Sequence, residues 1–268
     1  MLEALSLGFM QNAVAAAVLA SVACGIIGAL VVVNRVVFLS GGVAHAAYGG
    51  VGLAFFLGWP VLPTVLGFTL ATSSLMAAAT LRRGERADTV IGVTWAAGMA
   101  LGIILLDLTP GYNVELMSFL FGSILTVPRS ELWLMAGLDL AVAGLVALLY
   151  RHFLALSFDP EFARTRGVPV TALHFLLLAM IAVSVVMIIR VVGLILVIAL
   201  LTIPPYLAER KAGSLAGMML LSMVLSLAFC LAGLALSFHF DLSSGASIIA
   251  VASVVFFIVA GKDLLGRR

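Results

Sequence analysis

Nine stretches of about 17 to 25 residues carry almost no charge and are bounded by charged, proline or glycine clusters: 9–33, 36–58, 61–81, 89–106, 131–150, 170–189, 191–207, 214–237 and 244–261. Each is near the ~20 residues that a helix rising 1.5 Å per residue needs to cross ~30 Å of hydrocarbon. In lipid every backbone donor and acceptor must be paired within the protein, which permits helices or closed barrels, and these runs are far longer than the ~10-residue alternating strands of a barrel. The sequence therefore predicts an all-α, polytopic membrane bundle of about nine transmembrane helices (eight to ten), forming a single domain over residues 1–268 with no sizeable extramembrane part. Composition agrees, because 10% charged residues is less than half the roughly 25% of a soluble domain.

Charge placement sets the orientation. Twelve of the 14 Lys and Arg residues fall in alternate loops: Arg35; Arg82, Arg83 and Arg86; Arg151, Arg164 and Arg166; Arg210 and Lys211; Lys262, Arg267 and Arg268. Arg129 and Arg190 fall on the other side. Basic residues collect in cytoplasmic loops, so the pattern predicts an outer N-terminus and a cytoplasmic C-terminus. The first dozen residues hold Glu3 and no Lys or Arg, so they are expected to lead into the first span rather than to form a cleaved signal peptide. Residues 116–127 (LMSFLFGSILTV) are apolar but too short to cross, and are expected to be interfacial or re-entrant on the outer side. A net charge of +2 without a long basic run argues against a nucleic-acid surface.

The longest polar stretch, 151–169, is predicted to be a cytoplasmic loop holding one helix of two or three turns. Ser157 or Asp159 caps it, Pro160 and Glu161 fill its first turn, and Gly167 and Pro169 end it. Such a helix is a surface-lying connector or a docking element.

Ionisable groups inside spans are functional candidates because burying them in hydrocarbon costs several kcal/mol. They are His45, Asp139 and His174. Gly41 and Gly49 stand four residues before and after His45, so the helix surface above and below the imidazole is bare. Those glycines either let a neighbouring helix pack closely or clear a path beside the ring. Asp139 admits a plain structural reading as an aspartate hydrogen-bonded in the bundle, and His174 is expected to be interfacial. His239 and Asp241 share a short outer loop made more acidic by Asp107 and Glu115 nearby, which suits a weak metal contact or a solvated turn.

Enzyme motifs are missing from the sequence. There is no HExxH and no GxxxxGK[ST], and the Ser-Gly-Ala-Ser at 244–247 is a common pattern in glycine-rich spans. The chain is therefore expected not to be an enzyme and to lack an ATPase site of its own. Cys24 and Cys230 lie in apolar runs and read as small hydrophobes. Pro204 and Pro205 remove two helix donors, which predicts an unwinding or abrupt end, while Gly193 and Gly245 begin their spans.

Five segments, in order along nearly the whole chain, are similar to those of one family: SGGVAHAAYGG (40–50), LFGSILTV (120–127), FDPEFARTRGV (158–168), VVGLILVIALLTIP (191–204) and SGASI (244–248). The sequence resembles the membrane subunits of ABC importers for zinc, manganese and iron. The resemblance implies a homodimeric permease in a bacterial or archaeal plasma membrane, with a cytoplasmic ATP-binding subunit and a periplasmic or extracellular solute-binding protein as partners. It implies no permanently bound cofactor. ATP would be bound by the partner subunit, and the cargo would be a divalent transition-metal ion, zinc first, with manganese or iron as alternatives. His45 becomes the metal contact in the path, joined by Asp139, with His239 and Asp241 at the outer entrance. The segment 158–168 becomes the coupling helix, with Asp159, Glu161, Phe162, Arg164 and Gly167 as its contact or shaping residues. Two departures stand out: Gly41 occupies the position where many members have an aspartate, and Pro205 and Tyr206 stand where small residues are usual. The competing reading is a secondary transporter or channel that works without an ATPase.

Overall fold

The computed structural model describes residues 8–82, 87–110 and 124–266. They form helices α1 (Gly8–Val33), α2 (Val37–Leu57), α3 (Val61–Arg82), α4 (Ala87–Asp107), α5 (Arg129–Leu148), α6 (Tyr150–Phe158), α7 (Pro160–Thr165), α8 (Val170–Val192), α9 (Leu194–Glu209), α10 (Leu215–Phe240) and α11 (Ser244–Gly266). A 3-10 turn covers Ile124–Thr126. Among the described residues there is no strand. Eight helices are long and apolar enough to cross a membrane: α1 to α5, α8, α10 and α11. Residues 116–123 of the outer segment, with Glu3, Arg83, Arg86, Glu115, Arg267 and Arg268, lie outside the described residues.

The remaining apolar stretch is α9, whose 16 residues extend only about 24 Å. It is short because the apolar run is cut at Gly193, which takes φ 83 and ψ 162, a conformation closed to side chains with a Cβ. Its far end corrects the sequence reading. α9 passes through Pro204 and Pro205 and continues to Glu209, although neither proline donates a backbone hydrogen bond. Leu201 thereby loses the donor four residues on, and α1 covers the spot: a Cβ added at Gly28 would lie 2.8 Å from the Leu201 carbonyl oxygen and 2.6 Å from Cγ of Pro205. Close backbone approach takes the place of the broken ladder.

The stretch 151–169 also differs from expectation, holding two helices rather than one. After a break at Leu149 (φ −102, ψ 15), α6 runs to Phe158. Phe153 and Leu156, three residues apart, are buried, while Arg151 and His152 are exposed. This is an amphipathic surface helix, and its charges hide the short apolar stripe from a reading by hydropathy.

By their internal contacts the residues group into two units. The first comprises Met1–Val32, Ser118–Leu145 and Ile188–Arg268. Its α1 buries Ala13, Ala16, Ala17 and Ala20 completely; Gly25 packs on Met223, and Gly233 packs on Ile248. Arg190 donates to Glu131 at 2.7 Å, so one of the two basic residues that fall outside the charge pattern is neutralised within the unit. The second comprises Val33–Met117 and Val146–Met187. Its core joins Leu39, Val43 and Ala46 of α2 to Met76 and Ala77 of α3, Ile91 of α4, and Leu178 and Ala182 of α8. Small residues let the helices approach closely at these points, because lipid gives no hydrophobic drive for helices to associate and stability rests on van der Waals contact.

Candidate functional site

His45 lies midway along α2, half-buried in the second unit. Its Nδ1 is 2.8 Å from the Gly41 carbonyl oxygen. A carbonyl only accepts, so Nδ1–H donates, and in the neutral ring Nε2 carries the lone pair. Nε2 has no hydrogen-bond partner among the described residues. The ring lies on Trp95 of α4, with centroids 4.0 Å apart and planes 32° apart, and Trp95 in turn donates its Nε1–H to the Met99 sulfur at 3.1 Å. A backbone bond on one nitrogen and an aromatic face beneath the ring hold the imidazole in one orientation, the arrangement that presents the other nitrogen to a ligand.

The two glycines flanking His45 do different things. A Cβ at Gly49 would fall 2.8 Å from the Gly98 carbonyl oxygen and 2.7 Å from the Phe68 ring. One helical turn away, Gly52 meets the Gly102 backbone, and Gly98 meets Ala46 at 2.9 Å. This side is a glycine seam between α2 and α4. On the other side, a Cβ at Gly41 would have nothing within 4 Å. Gly49 therefore serves close packing, while Gly41 is buried without a neighbour at its Cβ position. Trp95 escaped the sequence reading; the spacing of Gly98 and Gly102 on α4 was the available signal that this helix closes on α2.

Asp139 sits on α5 in the first unit, 6% exposed. Its Oδ2 has no hydrogen-bond partner among the described residues. His174 has Nε2 2.8 Å from the Thr80 hydroxyl, joining α8 to α3. His239 and Asp241 are exposed at the end of α10. Asp241 takes φ 51 and caps that helix, its N–H donating to Ser237. Among the described residues, no three His, Cys, Asp or Glu side chains are grouped to hold a metal ion. Cys24 and Cys230 are buried free thiols.

The segment 158–168 folds as its residues dictate. Asp159 caps α7, accepting from the Phe162 N–H at 2.8 Å, and Pro160 fills the first turn. Gly167, at φ 78, closes it: Gly167 N–H donates to Arg164 and Val168 N–H donates to Ala163, each at 3.0 Å, the paired bonds of a Schellman end. Ala163 is the buried anchor, while Asp159, Glu161, Phe162 and Arg164 are exposed. Phe162 is 60% and Phe158 70% exposed, so two aromatic rings flank the cap. Phe158 was missed because it closes α6, the helix that hydropathy did not reveal. Asn34 donates to the Ser157 hydroxyl at 2.9 Å, tying the end of α6 to the α1–α2 turn.

Residues 6–262 match the model of the ABC 3 transport family. An uncharacterized membrane protein of Synechocystis sp. is 52% identical over 96% of this chain and 92% of its own length. A manganese transport system membrane protein of Halalkalibacterium halodurans is 32% identical over 95% of this chain and 87% of its own. Among solved structures, a chain of PsaBC from Streptococcus pneumoniae in complex with Fab superposes with a TM-score of 0.86 at 29% identity, covering 96% of this chain and 93% of that one. With eight apolar helices of spanning length and a family match along nearly its whole length, the chain is a multi-pass protein of a bacterial plasma membrane and belongs to the ABC 3 transport family.

Proposed function

We infer that this chain is the permease subunit of an importer for a divalent transition-metal ion, working as a homodimer. A separate cytoplasmic subunit hydrolyses ATP, and an outer solute-binding protein delivers the ion. The observation that carries this reading is His45: Nδ1–H is committed to the Gly41 carbonyl, which leaves the lone pair on Nε2, and a Cβ added at buried Gly41 would meet nothing within 4 Å. An imidazole held this way is a ready ligand for zinc and related ions. A lone one binds weakly, and a path must release its ion as readily as it takes it. Ligand chemistry favours zinc, while the names of relatives such as the Halalkalibacterium halodurans protein favour manganese. Asp139, with its unpartnered Oδ2, is the second contact in the path, and His239 and Asp241 form the outer entrance. The N-terminus faces outward and the C-terminus the cytoplasm, an odd number of crossings that counts the short α9 with the eight helices of spanning length; pairing of Arg190 with Glu131 supports this by removing one exception to the charge rule.

The coupling surface is the exposed edge of α7: Asp159, Glu161, Phe162 and Arg164, with Phe158 beside them. Two exposed rings on a short, well-capped helix are the kind of knob that fills a groove in a partner. The test is uptake of zinc and of manganese into vesicles carrying the chain with its ATP-binding subunit and supplied with the solute-binding protein. Uptake is expected only with both subunits and ATP, and at least ten-fold lower in His45→Ala while the subunits stay associated. Uptake by the isolated chain down an ion gradient would select a secondary transporter. Unchanged uptake in His45→Ala would remove the residue from the path.

A further inference from the structure

A groove of about 560 Å³ in the first unit, bordered by residues of α9, α10 and α11, has no place in the transport reading. Its walls include Leu221 and Leu225 of α10 and Val255 and Val259 of α11, each pair one turn apart, and Arg210 and Lys211 stand at the end of α9. The volume is within the ~300–1,000 Å³ of ligand pockets. Beside it Tyr206 packs on Phe256 at 5.3 Å between ring centroids, and the Arg210 guanidinium lies 5.5 Å over the Tyr206 ring. Lys262, exposed, lies one turn beyond Val259 on α11. Glu209, next to Arg210 in sequence, is exposed and is the acidic residue at this end of α9.

We propose that this groove is a binding site for an anionic membrane phospholipid, an acyl chain lying on Leu221, Leu225, Val255 and Val259 and the headgroup phosphate against Arg210 and Lys211. Apolar walls closed at one end by cations, with aromatic rings at the same level, match such a lipid in both parts. A free phosphate gains nothing from four branched side chains. A second copy of the chain meeting this face through a two-fold axis would bring like cations together. Each basic residue near a lipid headgroup favours the anionic lipid by about five-fold.

The experiment reconstitutes the full chain in vesicles of equal parts phosphatidylglycerol and phosphatidylcholine, extracts it into detergent and counts retained lipid by native mass spectrometry. Phosphatidylglycerol is expected to be retained in preference, and to fall at least five-fold in the Arg210→Gln, Lys211→Gln double variant. Val255→Phe leaves both cations in place and narrows the groove, so it is expected to lower retention of either lipid. Equal retention of the two lipids by the parent would overturn the proposal. So would undiminished phosphatidylglycerol in both variants, or a Val255→Phe protein that turns from dimer to monomer while keeping its lipid, which would assign the groove to a second copy.

Discussion

The two flanks of His45 have the same amino acid at the same spacing and opposite surroundings. At Gly49 the missing side chain is filled by α4 and Phe68, and at Gly41 it is filled by nothing within 4 Å. A glycine pattern alone does not separate a packed position from an unfilled one, because the outcome depends on what the neighbouring helix presents at each height. On α4 the matching small residues, Gly98 and Gly102, stand opposite Ala46, Tyr48, Gly49 and Gly52, whereas nearer Gly41 the side chain of Ile91 meets Gly42.

Substitutions break this comparison unevenly. The largest effect is expected from Gly52→Ala, whose Cβ meets the Gly102 backbone and cannot be accommodated by a rotamer change. A loss of about 2–3 kcal/mol, the upper range for overpacking, is expected as a lowered unfolding temperature in detergent. Gly49→Ala comes next, at about 1–2 kcal/mol, since the Phe68 ring at 2.7 Å can turn away but the Gly98 carbonyl cannot. Trp95→Leu removes the ring under His45, a contact of about 1 kcal/mol. It is expected to lower metal uptake several-fold with little change in chain assembly, and equal losses of uptake and assembly would make Trp95 a packing residue only. Gly41→Ala is the smallest and opposite in sign: with space around it, it is expected to leave stability unchanged or raise it by up to about 1 kcal/mol. A clear destabilisation there would erase the distinction between the flanks.

Much of the fold was legible in the sequence for one physical reason. A helix that crosses hydrocarbon needs an uninterrupted apolar run, and eight such runs became helices of spanning length. What escaped was set by tertiary contact. α6 carries charge on one face and buries Phe153 and Leu156 on the other, so hydropathy gave a loop. Pro204 and Pro205 suggested a helix end, yet α9 continues past them, because α1 brings Gly28 up to the Leu201 carbonyl that proline left without its donor. The capped helix at 160–165 was readable from Asp159, Pro160 and Gly167, since caps are local chemistry. His45 was readable as a candidate but its orientation was not, for the Trp95 stack joins residues on two different helices.

What most needs testing is the proposal that His45 meets the ion through Nε2, with Gly41 leaving no second ligand one turn away on the same helix. Gly41→Asp supplies that ligand at the i, i+4 spacing that brings two side chains together on one helix face. Titration calorimetry of the purified chain with zinc and with manganese tests the claim directly. Binding is expected to be at least ten-fold tighter in Gly41→Asp than in the parent, and to fall back when His45→Ala is added. A folded Gly41→Asp chain with the parent's affinity, or one whose gain survives removal of His45, would contradict it.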